Sequence, residues 1–318
     1  MSKMRLVIQA GNKLIEPPIM DGVKIEWERT GSAGKLTFTT IKIMDTDMGF
    51  NEGDAVTFIY DGKPIFVGYV FTKKRDKKHH IEVTCYDQIR YLKNKYTYVF
   101  ENKTANQIAT ALCNDFNVKV GAMDNTGYVI PTMIEENKSA LDIILGALDH
   151  TLTNTGNMYV LYDNCGEVCI RNCANMVSTT LIMEDTAENF DYSSSIDNET
   201  YNHIVLYYKD EENKISVFTA SHKDNIKQWG ELRYFEEVKN KAIGQHKANT
   251  LLELYNRKTR ELKITGAFGS TDVRGGTLIP VKLYLGDTTV NNYMLVEKVT
   301  HIFNNDHYTM DLTLEGAW

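Results

Sequence analysis

Apolar and polar residues alternate with period two through most of residues 3–93. Val23-Lys24-Ile25-Glu26-Trp27-Glu28 and Lys35-Leu36-Thr37-Phe38-Thr39 each offer one apolar face to a core and one polar face to water. Residues 55–60 form a further strand. Asp61-Gly62 follows, a two-residue hairpin signal, because both central positions of a type I′ turn need positive φ. Ile65-Phe66-Val67-Gly68-Tyr69-Val70 is the returning strand. The polar run at residues 73–80 separates it from Ile81-Glu82-Val83-Thr84-Cys85-Tyr86. This pattern predicts an antiparallel meander folded as a small barrel or sandwich.

The period then changes. Thr104-Ala105-Asn106-Gln107 is a capping box, and Ile108, Ala111, Leu112 and Phe116 recur at helical spacing. Ser139-Ala140-Leu141-Asp142 opens a second helix with Leu141, Ile144, Leu145 and Leu148 on one face. A hairpin around Asp163-Asn164-Cys165-Gly166 completes a small α+β unit. Strands return from about residue 191: His203 to Tyr208, Ile215 to Phe218, Glu261 to Ile264, Leu278 to Tyr284, Tyr293 to Val296 and Tyr308 to Leu314, with a helix at about 238–258. The first and last parts share an order of turn, strand, turn, aromatic-led strand, polar loop and alternating strand. The expected fold is mainly β with an α+β insert. Two similar small antiparallel barrels, residues 1–93 and 191–318, the second holding an inserted helix, flank an α+β domain at 94–190.

Length and composition narrow the class. A chain of 318 residues buries a sizeable core, and 42% hydrophobic with 24% charged residues is the ordinary globular balance. Apolar stretches fall short of the ~20 residues of a membrane helix, so no membrane insertion is expected. The start of the chain lacks the apolar centre of a signal peptide. The net charge of −7 gives no phosphate-binding footprint, so specific nucleic-acid binding is not expected. The five cysteines suit reduced thiols in a cytoplasm better than a disulfide framework.

Each chemical candidate has a plainer reading. Cys165, Cys169 and Cys173 resemble a metal cluster in composition, but residues four apart on a strand lie ~13 Å apart, too far to share an ion. His301, Asp306 and His307 read as a solvated turn plus one strand histidine. Glu135-Glu136 and Glu211-Glu212 read as solvated loop acids. The basic run at 73–80 reads as a hairpin tip kept soluble by charge, with contact to an anionic partner as the functional alternative. Gly266, Gly269, Gly275 and Gly276 read as turns between strands. No catalytic, cofactor-binding or metal residue is assigned, and no enzyme activity or cofactor is expected.

The order of parts resembles the baseplate hub proteins of contractile phage tails and phage-like bacteriocins of the PBSX type. The resemblance is carried by Glu52-Gly53-Asp54-Ala55-Val56, Phe66-Val67-Gly68-Tyr69-Val70 and Val83-Thr84-Cys85-Tyr86-Asp87. It continues at Lys103-Thr104-Ala105, Lys138-Ser139-Ala140-Leu141-Asp142 and Asn198-Glu199-Thr200-Tyr201-Asn202-His203-Ile204-Val205, the last at the start of the second barrel. It implies a homotrimer whose six barrels join a sixfold tail tube to a threefold central spike, among other baseplate proteins. The protein would be made in the bacterial cytoplasm and end in the tail particle. A tail-associated cell-wall hydrolase is the alternative. Trp27 and Tyr69 are expected as exposed aromatics for a neighbouring barrel to cover.

Overall fold

The computed structural model describes residues 4–30, 32–41, 49–197, 199–286 and 289–316. Period-two segments become strands and helical-period segments become helices. Asp61 and Gly62 adopt φ of 48° and 77°, both positive, and Tyr60 stands opposite Lys63 in the hairpin the dipeptide predicts.

The order of strands repeats. Val23–Glu28, Lys35–Ile41, His80–Tyr86, Lys63–Arg75 and Ala55–Tyr60 are neighbours in that spatial order. Asn189–Ser195, Thr259–Phe268, Tyr308–Gly316, Thr289–Phe303 and Leu278–Tyr284 are neighbours in the same order. Both sets even carry a bulge at the same place. The pairing of the long strand with its neighbour shifts between Val70 and Thr72 in one set, and between Val296 and Lys298 in the other.

The two sets join edge to edge in a 13-stranded sheet. The seam is antiparallel, with Lys298 opposite Glu28, His301 opposite Ile25 and Phe303 opposite Val23. One apolar core runs beneath both sets, from Leu6, Ile25 and Phe58 to Val299, Phe303 and Leu312.

Between the sets the chain forms the α+β unit. Helices Ala105–Asp115 and Ala140–Thr155 pack on a long ribbon, Lys95–Thr104 with Val129–Ser139, and on a small sheet of Tyr159–Asp163, Val168–Asn172 and Val120–Met123. Both helices start where the caps predict. The Thr104 N–H donates to Gln107 Oε1 at 3.1 Å, and the Ser139 hydroxyl accepts from the Asp142 N–H at 3.1 Å.

One expectation changes. His203–Lys209 and its neighbours do not join the main sheet. With Ile215–Ser221 and Arg233–Glu237 they form a separate three-stranded sheet, covered on one face by helix Gly244–Tyr255 and holding its own core of Ile204, Leu206, Val238, Ala248 and Leu251. This unit sits between Ser195 and Thr259, whereas the corresponding strands of the first set, ending at Glu28 and beginning at Lys35, are seven positions apart in the sequence. The alternation of 203–208 shows a strand but not which sheet receives it.

Candidate functional site

Residues 269–277 form the piece of chain where first set, second set and α+β unit meet. Val273 is fully buried, and Gly276 N–H donates to Val296 O at 2.8 Å. Arg274 lies between two aromatic rings from the other parts, 4.8 Å from the Trp27 ring and 4.4 Å from the Tyr162 ring. Its Nη1 donates to the Asp163 main-chain oxygen at 3.1 Å. Gly275 has no alternative: a Cβ there would stand 2.5 Å from the Arg29 nitrogen and from the Glu28 carbonyl carbon.

Two buried carboxylates complete the joint. Asp87 accepts from the Gly34 N–H at 2.8 Å and from the Ile89 N–H at 3.0 Å, tying two segments of the first set together. Asp163 accepts from the Gly166 N–H at 2.6 Å. Gln88 bridges the first set and the α+β unit, donating to Gly166 O and accepting from the Lys119 N–H at 3.1 Å. Burial, then the neighbouring Asp163, pushes the Asp87 carboxyl above the usual carboxylate range; burial likewise raises Asp163. Burial lowers Arg274, and the carboxylates oppose that shift. The arrangement is a buried, hydrogen-bonded lock that ties three parts of the chain to one another.

His301 seals the seam from beneath. Its Nε2 lies 2.9 Å from Val273 O and its Nδ1 lies 2.7 Å from the Tyr308 hydroxyl, so the neutral ring donates to the carbonyl and accepts from the phenol. Trp27 meets it edge-on at 5.1 Å. Burial pushes the imidazole down to about 4. Above the sheet, Lys298 lies 2.9 Å from Glu28, and Arg29 lies 2.5 Å from Glu297.

The residues singled out from the sequence fall apart in space. Cys165 is in the hairpin turn with φ 51°, Cys169 is on a strand and Cys173 opens a short 3-10 turn. His301 is buried, whereas Asp306 and His307 are exposed, with His307 facing Asn304. Glu211 and Glu212 lie at an exposed turn. Glu135 is half-buried on the ribbon beside Lys138, and Glu136 is exposed. Among the described residues no His, Cys, Asp and Glu side chains gather in a group that holds a metal ion. Trp27 overturns its expectation: it is buried in the joint, packed against Arg274 and His301. Tyr69 is half-buried against Tyr91. Arg274 gave one signal in the sequence, a charge flanked by Val273 and the pair Gly275-Gly276, which marks close backbone approach.

Among the described residues, open strand edges include two at equivalent ends of the repeated strand sets. The outer edge of Asn189–Ser195 pairs with nothing, and neither does the outer edge of Lys63–Arg75 beyond residue 70. No helix of the described residues is long and apolar enough to cross a membrane.

This architecture is that of phage tail proteins. It is similar to the 43 kDa tail protein of prophage MuSo2 from Shewanella oneidensis, with a TM-score of 0.71, 14% identity and 98% of each chain covered. It is similar also to a tail protein from Neisseria meningitidis MC58, with a TM-score of 0.73, 12% identity, 98% of this chain and 96% of that one. The model of the YqbQ-like family matches residues 23–315, and the chain belongs to that family. Protein XkdQ of the phage-like element PBSX of Bacillus subtilis (strain 168) is 30% identical over 304 residues, 92% of this chain and 91% of that protein.

Proposed function

We propose that this chain is the structural baseplate hub of a contractile phage or phage-like tail, joining a sixfold tail tube to a threefold spike. The repeated strand order within one chain carries this reading. Three copies would set six related strand sets around one channel, so that a threefold object meets a sixfold one without changing its subunit. The kinship with XkdQ, a protein of a phage-like element, supports a place in such a particle. The role is mechanical. The lock around Arg274 and the shared sheet give each copy the rigidity a channel segment needs.

Three copies carry 3 × −7 = −21 formal charges. Where these face the lumen, a passing polyanion is repelled rather than held. The protein would be made in the bacterial cytoplasm, then meet the tube, the spike and other baseplate proteins in the particle.

Image reconstruction of particles carrying this chain tests the reading. Three copies should encircle a central channel at the junction of tube and spike. Six copies per ring, or a position in sheath or fibre, would refute it. The purified protein should release no soluble fragments from cell-wall peptidoglycan. Release abolished by a single Asp, Glu or His substitution would make it a hydrolase instead.

A further inference from the structure

A cavity of about 430 Å³ opens where the α+β unit meets the separate unit at 200–256. That is the size of a small-ligand site. Tyr128, Asn154, Thr155 and Tyr159 line it from the α+β unit, and Ile243 and His246 from the start of the helix Gly244–Tyr255. The same two units are in contact through the helices Ala140–Thr155 and Gly244–Tyr255.

The protons of the hydroxyls lining this cavity are largely committed. Thr126 donates to Asn106 Oδ1 at 3.1 Å, Thr155 to Thr151 O at 2.7 Å and Tyr159 to Asn125 O at 3.2 Å. A hydroxyl has one proton and two lone pairs, so each of these keeps only the capacity to accept. Asn154, which is 7% exposed, donates from Nδ2 to His150 O at 2.7 Å, and its Oδ1 accepts from no group among the described residues. An amide oxygen so deeply placed gains most from a ligand that donates.

The helix end adds to this bias. Ala140–Thr155 stops at Gly156, left-handed with φ 75°, and has no base in its last turn. The last carbonyls of a helix lack intrahelical donors and carry the negative end of its dipole. Among the described residues lining the cavity there is no lysine or arginine to hold an anion, and no carboxylate to hold a hard divalent ion. Two tyrosines and a set of acceptors suit a planar cation that donates in several directions and stacks on aromatic faces. The joint around Arg274 shows that chemistry filled from within: a guanidinium between two rings, donating to a main-chain oxygen.

We propose that the cavity beside Asn154 is a binding site for a guanidinium group presented from outside the chain, on a small molecule or on an arginine of another protein. The site stands or falls independently of the hub reading.

Titration of the isotope-labelled full-length chain, followed by NMR, tests it. The probes are n-butylguanidinium and N-acetyl-arginine methylamide, with pentanol and N-acetyl-norleucine methylamide as uncharged counterparts. Saturable shifts are expected at the Asn154 side-chain amide and at the main-chain amides of Gly156, Asn157 and His246, with a Kd of about 1 mM. The uncharged counterparts should leave these signals in place. Asn157 lies exposed at the rim of the cavity. Asn157→Asp should tighten binding about threefold, and Asn157→Lys should weaken it about as much. Asn154→Leu should weaken binding about tenfold in a variant whose remaining spectrum matches the parent. Binding of the arginine derivative as well as the small cation assigns the site to a protein side chain, and binding of butylguanidinium alone assigns it to a small molecule. No shift with either cation, equal shifts with the uncharged counterparts, or both Asn157 variants moving the affinity in one direction would overturn the proposal.

Discussion

His301 shows how one buried side chain ties the fold to pH. Its folded state prefers the neutral ring, at about 4 against the ordinary 6.5. The unfolded chain takes up a proton below pH 6.5 while the folded one does not. Stability is therefore whole above pH 6.5 and falls as pH drops towards 4, by about 3 kcal/mol in all. His301→Gln should flatten that part of a melting-temperature profile; an unchanged slope would count against it. Arg274 acts by contact. Arg274→Met removes its hydrogen bond to the Asp163 carbonyl and its packing on the Trp27 and Tyr162 rings, and should cost about 1–3 kcal/mol in denaturant titrations. Gly275→Ala acts by volume alone and should also destabilise, because backbone rather than a flexible side chain occupies the space.

At the scale of elements, the two helices of the α+β unit depend on their first turns. Ser139→Ala removes the hydroxyl that caps the helix Ala140–Thr155 and should cost about 1 kcal/mol, read from the same titrations. These caps were legible in sequence because a cap is local: hydroxyl, spacing and apolar face lie within one turn of chain. The hairpins were legible for the same reason, Asp61-Gly62 above all. The separate sheet of 203–237 was not, since period two looks alike whichever sheet pairs with it. The joint was less legible still. Trp27 with Gly34, Asp87, Asp163 and Arg274 come from four separate stretches, and nothing near Trp27 signals that a guanidinium will cover it. An alternating strand with an aromatic at its end reads as half-exposed until the partner is known.

For the molecule as a whole, a common sheet and core make the chain's two ends one cooperative body. Hydrogen–deuterium exchange should show amides of Val23–Glu28 and of residues 298–303 losing protection together as denaturant rises. Separate transitions for the ends would contradict a continuous seam. The unit at 200–256 branches from the main sheet at Ser195 and Thr259, which face each other across neighbouring strands, and packs its helix Gly244–Tyr255 on the helix Ala140–Thr155. The ladder beneath is already closed without it. Evolution can therefore treat that position as a socket. A larger or smaller graft there leaves the repeated strand order and the core beneath it as they are, so long as it still presents a face to the helix Ala140–Thr155.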